Sequence, residues 1–147
     1  MNTLDLTQHP PRSPRVRLGG YAMLARVLDK ARASLAGKAG DYKYGNPMDQ
    51  HFFGFTGITQ NALLEQVKTG AGDWDILLWV NAHSKPSRSP HEIRAWSVWL
   101  ETMPIGNAED FEWFGAQIKR VNPERTDLHT VVDYLDADDH VSFGGKA

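Results

Sequence analysis

Apolar side chains recur at intervals of three and four along most of the chain, a period that predicts helices rather than strands. In the run Ala22–Leu35, Leu24, Val27, Leu28, Ala31 and Leu35 form one stripe, with Arg26, Asp29, Lys30 and Arg32 on the other face. Asp29 stands three residues from both Arg26 and Arg32, so that face reads as solvated. Gly37 and Gly40 end the helix. Asn46–Pro47 puts a capping side chain before a proline at the first helical position, with Asp49 in the first turn. Met48, Phe52 and Phe55 share a face of that short helix, which Gly57 closes. Thr59 caps a helix with the stripe Leu63, Leu64 and Val67, stopped by Gly70–Gly72. Asp73 caps the next, which carries Trp74, Ile76, Leu77, Trp79 and Val80, and Ser84–Ser89 is a loop.

Ser89–Pro90–His91–Glu92 is the clearest helix start, a serine cap with proline behind it and a glutamate placed to complete a capping box. Ile93, Trp96, Leu100 and Met103 follow on one face, and Pro104 ends the helix. Asn107 caps a helix whose first turn is acidic and whose last turn holds Lys119 and Arg120, an ordering that suits the helix dipole. Phe111, Phe114, Ile118 and Val121 are its apolar stripe. A last helix is expected from Asp127 to Leu135, and residues 136–147 read as an acidic, flexible tail. Residues 1–8 should be loose, with only Leu4 and Leu6 to anchor them, and residues 41–45 fit no element. The expected fold is all-α, a single domain over residues 1–147 with about seven short helices behind an extended arm, residues 1–20.

Composition narrows the chemistry. With 147 residues the chain suits one domain able to bury roughly two thirds of its unfolded surface. It has no cysteine, which excludes disulfides, thiolate zinc sites and thiol nucleophiles, and suits a reducing cytoplasm. No signal-type apolar stretch opens the chain, and the longest apolar run, Ile76–Val80, is far short of the roughly 20 residues a bilayer span needs. The net charge of −2 conceals a gradient: residues 1–47 carry +5, residues 48–103 carry −2 and residues 104–147 carry −5. This permits a basic face, head-to-tail association, or pairing of the N-terminal arm with the acidic C-terminal helix, the last being the simplest. An acidic balance argues against a nucleic-acid binder.

The densest unusual chemistry lies in His9–Tyr21, where three prolines, three arginines and a glycine pair precede the first helix. Such a stretch is stiff and extended. Arg12, Arg15 and Arg17 supply forked donors for a phosphate or carboxylate, and Gly19, Gly20 and Tyr21 stand where a helix start would favour an anion. The plainer reading is that these arginines pair with acids of the later helices and tie the arm down. Asp49 and His51 are weaker candidates, His51 as a general base. The spacing of the histidines supplies no metal motif, there is no Gly-x-Ser-x-Gly elbow, and no metal or cofactor is expected. All five tryptophans lie between Trp74 and Trp113, a concentration that reads as core before ligand platform.

The words Pro-Pro-Arg-Ser-Pro-Arg-Val-Arg-Leu-Gly-Gly-Tyr, Asp29–Ala33, Pro47–Gln50 and Phe52–Ile58 are together similar to a family of small bacterial proteins of unknown function, a likeness that covers residues 5–83. The resemblance implies a bacterial, cytoplasmic, mostly helical domain and assigns no catalytic residue. Three readings follow. The first is a binding module for a small anionic molecule at the junction of arm and first helix. The second is a structural or protein-interaction domain, able to form a homo-oligomer or hold a protein partner through its basic arm and acidic C-terminal helices. The third is an enzyme acting on an anionic substrate through Asp49, His51 or an arginine.

Overall fold

A computed structural model describes residues 4–104, 106 and 108–146, without the side chains of residues 108 and 111. Among these the chain forms seven α-helices: α1 (Leu24–Leu35), α2 (Pro47–Thr56), α3 (Gln60–Lys68), α4 (Asp73–His83), α5 (Pro90–Glu101), α6 (Ala108–Val121) and α7 (Val131–Ser142). The only β-type pairings among them are two isolated bridges, Leu18 with Tyr21 and Pro104 with Thr130. The all-α class is therefore as the apolar periodicity implies. Most capping signals also act as read: Asn46 accepts from the Asp49 N–H, Thr59 from Ala62, and Ser89 and Glu92 form a reciprocal capping box. Asp73 is an exception. Gly72 takes the capping position, and Asp73 is the first helical residue, which frees its carboxylate for other work. The expected cap at Asn107 lies outside the described residues.

Helix α1 runs through the middle of the molecule. It packs on α3, while α7 packs on both α5 and α6. Its apolar stripe joins Phe52, Leu63, Ile76, Val80, Ile93 and Leu100 in one core. Its polar face is also covered, and this corrects the expectation of a solvated one: Arg26, Asp29 and Lys30 are 3 %, 7 % and 1 % exposed. Segments from far along the chain lie over that face and carry the opposite charges. Lys30 Nζ donates to Asp49 Oδ1 at 2.7 Å and to the Lys43 carbonyl at 3.3 Å. Burial pushes the Lys30 pKa down, and Asp49 works against that shift.

Two terminal segments are more ordered than their composition suggests. Leu6 is 1 % exposed and its N–H donates to the Lys38 carbonyl at 3.0 Å, so residues 4–9 are pinned beside the end of α1. The acidic segment expected to form a flexible tail instead forms most of α7, which runs from Val131 to Ser142 rather than ending at Leu135. Thr130 and Asp133 make its capping box, and arginines from elsewhere neutralise Asp136, Asp138 and Asp139. A run of carboxylates frays only while it lacks counter-charge.

The glycine pair makes a turn, not a helix mouth. Leu18 and Tyr21 exchange both backbone hydrogen bonds, at 3.1 and 3.0 Å, with Gly19 and Gly20 between them at φ of +58° and +86°. Two positive φ values suit a two-residue hairpin turn. Helix α1 begins only at Leu24, so the turn lies upstream of its free N–H groups. A Cβ at Gly19 would stand 2.4 Å from Leu77 Cδ1, whereas one at Gly37, at φ +67°, would meet nothing within 4 Å. Gly19→Ala should therefore cost about 2–4 kcal/mol, from backbone strain plus the steric clash. Gly37→Ala should cost only about 1–2 kcal/mol, from strain alone. Urea unfolding of both variants checks the difference.

Candidate functional site

The residues of the arm are placed by its prolines. Pro11 and Pro14 are buried, and the Pro14 carbonyl accepts from Met23 N–H at 2.9 Å, so the arm lies along the body. The arginines then diverge. Arg12 donates to Asp29 Oδ1 and Oδ2 at 2.9 and 3.0 Å and to Asp73 Oδ2 at 2.7 Å, bridging α1 and α4. Arg15 donates to Asp136 at 2.5 Å and Asp133 at 2.6 Å, both on α7. Arg17 donates to Glu101 at the end of α5 at 2.9 Å and to the Gly20 carbonyl at 3.0 Å. Each guanidinium expected to face an anion already holds one or two carboxylates of its own chain. Tyr21 is fully buried, edge-on to Phe52, Phe55 and Trp96, and offers no surface to a ligand. The geometry is that of the arm tied down by the later helices.

The electrostatics agree. Burial works against the Arg12 charge, but Asp29 and Asp73 outweigh it and raise its pKa above the ordinary arginine value. Burial alone would raise Asp73; donation from Arg12 and from Arg32, the latter at 2.6 Å, holds it below the usual carboxylate range. Asp133 behaves the same way, with burial opposed by the N–H groups of His129 and Thr130 and by Arg15.

The weaker candidates do not form a catalytic pair. Asp49 is fully buried and is used by Lys30 and by the Gly45 N–H, at 2.7 and 2.8 Å. His51 is half-buried and packs edge-on against Trp99 with ring centroids 5.3 Å apart. Among the described residues no group of three or more histidine, aspartate or glutamate side chains is placed to hold a metal ion. The tryptophans divide. Trp96 stacks on Phe55 with ring centroids 4.9 Å apart, and the Arg88 guanidinium lies over the Phe55 ring, 4.4 Å from its centre, while Trp74, Trp99 and Trp113 are exposed.

A different concavity assembles from parts that sequence spacing does not connect. An open cleft of about 670 Å³ lies between α1, residues 40–46, α6 and α7. That is within the range of small-molecule sites. Its floor is a buried ion pair: Arg26, from α1, donates to Asp139 of α7 at 2.6 and 3.3 Å. The Tyr42 hydroxyl donates to the same carboxylate at 2.8 Å, and the Arg26 guanidinium sits 5.6 Å from the Tyr42 ring centre. Burial, then the hydrogen bond to Asp139, pushes the Tyr42 pKa up, so the phenol remains a donor at neutral pH. Tyr134 and Phe143 add aromatic wall. At the rim Arg120 donates to Asp138 at 2.6 Å, while the side chains of Asp41 and Lys43 are exposed and make no ion pair or hydrogen bond among the described residues. Of these residues, sequence reasoning named Arg26, for a solvated face, and Arg120, as a cation at a helix end, and neither for a site. Tyr42 alternating with charge in residues 41–45 was the available signal.

A family model described as a domain of unknown function, DUF5069, matches residues 8–141. No curated protein matches the chain.

Asp73 and Asp133 titrate below their ordinary value of 3.8 in the folded chain, so on acidification the unfolded chain takes up protons first. Their stabilisation is complete above about pH 4 and is lost as pH falls through the lower folded values. The urea midpoint should therefore change little between about pH 7 and 5 and fall steeply below about 4. Asp73→Asn should flatten part of that acid limb, which a midpoint-against-pH series measures.

Proposed function

The chain belongs to the DUF5069 family, and we propose that it is a binding module for a small polar molecule seated in the cleft between α1, residues 40–46 and α7. The observation that carries this reading is the Arg26–Asp139 pair with its Tyr42 donor, buried charge at the bottom of an open concavity rather than inside the core. Such a floor is rigid and already satisfied, so a ligand does not have to organise it. Lys43 at the rim, whose side chain has no ion pair among the described residues, suits an acidic group, and the Tyr42, Tyr134 and Phe143 rings suit an apolar portion. This keeps the anionic ligand class but places it away from the arm, whose arginines act as a clamp. A cysteine-free chain and the resemblance to bacterial proteins go with a bacterial cytoplasm as the place of action. Among the described residues no helix is long and apolar enough to cross a membrane.

The test is a two-dimensional amide NMR titration with phosphate, sulfate, simple carboxylates and a fragment set of aromatic acids. Saturable shifts should map to Tyr42, Lys43, Tyr134 and Asp138, and Lys43→Ala should weaken them about tenfold or more. Shifts confined to the neighbourhood of Arg15 and Arg17, or saturable shifts nowhere, would overturn the reading.

A further inference from the structure

We infer that α4 is the contact through which two copies of this chain pair, antiparallel and centred on Leu78. Helix α4 is apolar on both sides. Ile76, Leu77 and Val80 enter the core, yet Trp74 and Leu78 are 66 % and 51 % exposed. At 3.6 residues per turn Trp74, Leu78 and the exposed Ala82 stand one above another as a single outward stripe. Large apolar side chains aligned in this way, with no element over them among the described residues, mark an interaction surface. This surface is separate from the cleft, which α4 does not line.

Three features select a second copy as the occupant. The first is position: Leu78 is the middle residue of Asp73–His83, so an antiparallel pairing centred there is self-complementary. It sets Leu78 against Leu78 and lays each Trp74 over the small Ala82 turn of the other copy, large against small. The second is charge. Exposed Asp75 lies near the amino end and exposed Lys85 just beyond the carboxyl end, and neither side chain has an ion pair among the described residues. Antiparallel packing brings these unlike ends together and opposes the two helix dipoles favourably. The third is that the charge-driven alternative is already used. A head-to-tail contact of basic arm on acidic helix would need the Arg15, Asp133 and Asp136 groups that bind one another within the chain. One helix stripe offers far less than the roughly 800 Å² per partner of a standard stable interface, so the pairing is of the weak, transient kind.

The chain has no cysteine, which makes the test direct. Leu78→Cys places a thiol on the two-fold axis, and mild oxidation should convert most of the protein to a disulfide-linked dimer. Glu65→Cys, exposed on α3, should stay largely monomeric. Sedimentation velocity of the unaltered chain from about 10 μM to 1 mM should show a concentration-dependent shift toward dimer that 0.5 M salt leaves in place. Leu78→Asp should raise the Kd about tenfold or more without lowering the urea midpoint, and Trp74→Ala should act in the same direction. A monomer at 1 mM would overturn the inference. So would equal cross-linking of the two cysteine variants, or association unchanged in both Leu78→Asp and Trp74→Ala.

Discussion

A helix with an arginine, an aspartate and a lysine in its middle can be buried only if each charge meets its opposite. That constraint governs this molecule. Taking an unpaired ion out of water costs several kcal/mol, so the burial of α1 obliges other segments to supply counter-charge at set positions. Asp49 does so for Lys30, and through its second oxygen it holds the Gly45 N–H, which fixes the 40–46 segment beside α1. Asp139 does so for Arg26 and takes the Tyr42 hydroxyl as well, which fixes α7 against the same segment. The cleft is the space left where these two solutions meet. Its floor cannot shift without exposing a buried charge.

The arm extends the same logic to the surface. Arg12 reaches α1 and α4, Arg15 reaches α7 and Arg17 reaches α5, so thirteen residues of stiff chain tie together elements that touch one another only in part. Exposed ion pairs contribute little singly, typically under about 1 kcal/mol, but Arg12, Arg32, Asp29 and Asp73 form a connected set, partly shielded from water. The cation concentration that draws attention to the arm is thus spent on the fold. On the reading proposed above, what remains for a ligand is the rim of the cleft.

The fold was legible where the signals are local. Ser89, Pro90 and Glu92 announce a helix start within four residues, and Asn46 with Pro47 does the same. The pairing of the arm with acidic C-terminal residues, made by Arg15, was the simplest of three arrangements that the charge gradient permitted. Other features depend on contacts across the chain. Arg26, Asp29 and Lys30 look like a solvated face because their periodicity is the same whether water or another segment covers them. Asp139, which decides the matter for Arg26, lies 113 residues away. The acidic stretch after Leu135 reads as a tail for the same reason, since its counter-charges come from Arg15, Arg26 and Arg120. The cleft draws its lining from five separated segments, Leu6 and Thr7 among them, and leaves no spacing to find.

The governing claim is that Arg26 and Asp139 act as one buried unit, and a double-mutant cycle of Arg26→Met and Asp139→Leu in urea tests it most directly. Each single substitution should cost about 3–5 kcal/mol, because it strands the other charge in the interior. The double variant should cost less than either single one, since two apolar side chains of similar volume leave no stranded charge. If the two losses simply add, the pair is not coupled and α1 is not held by matched charge.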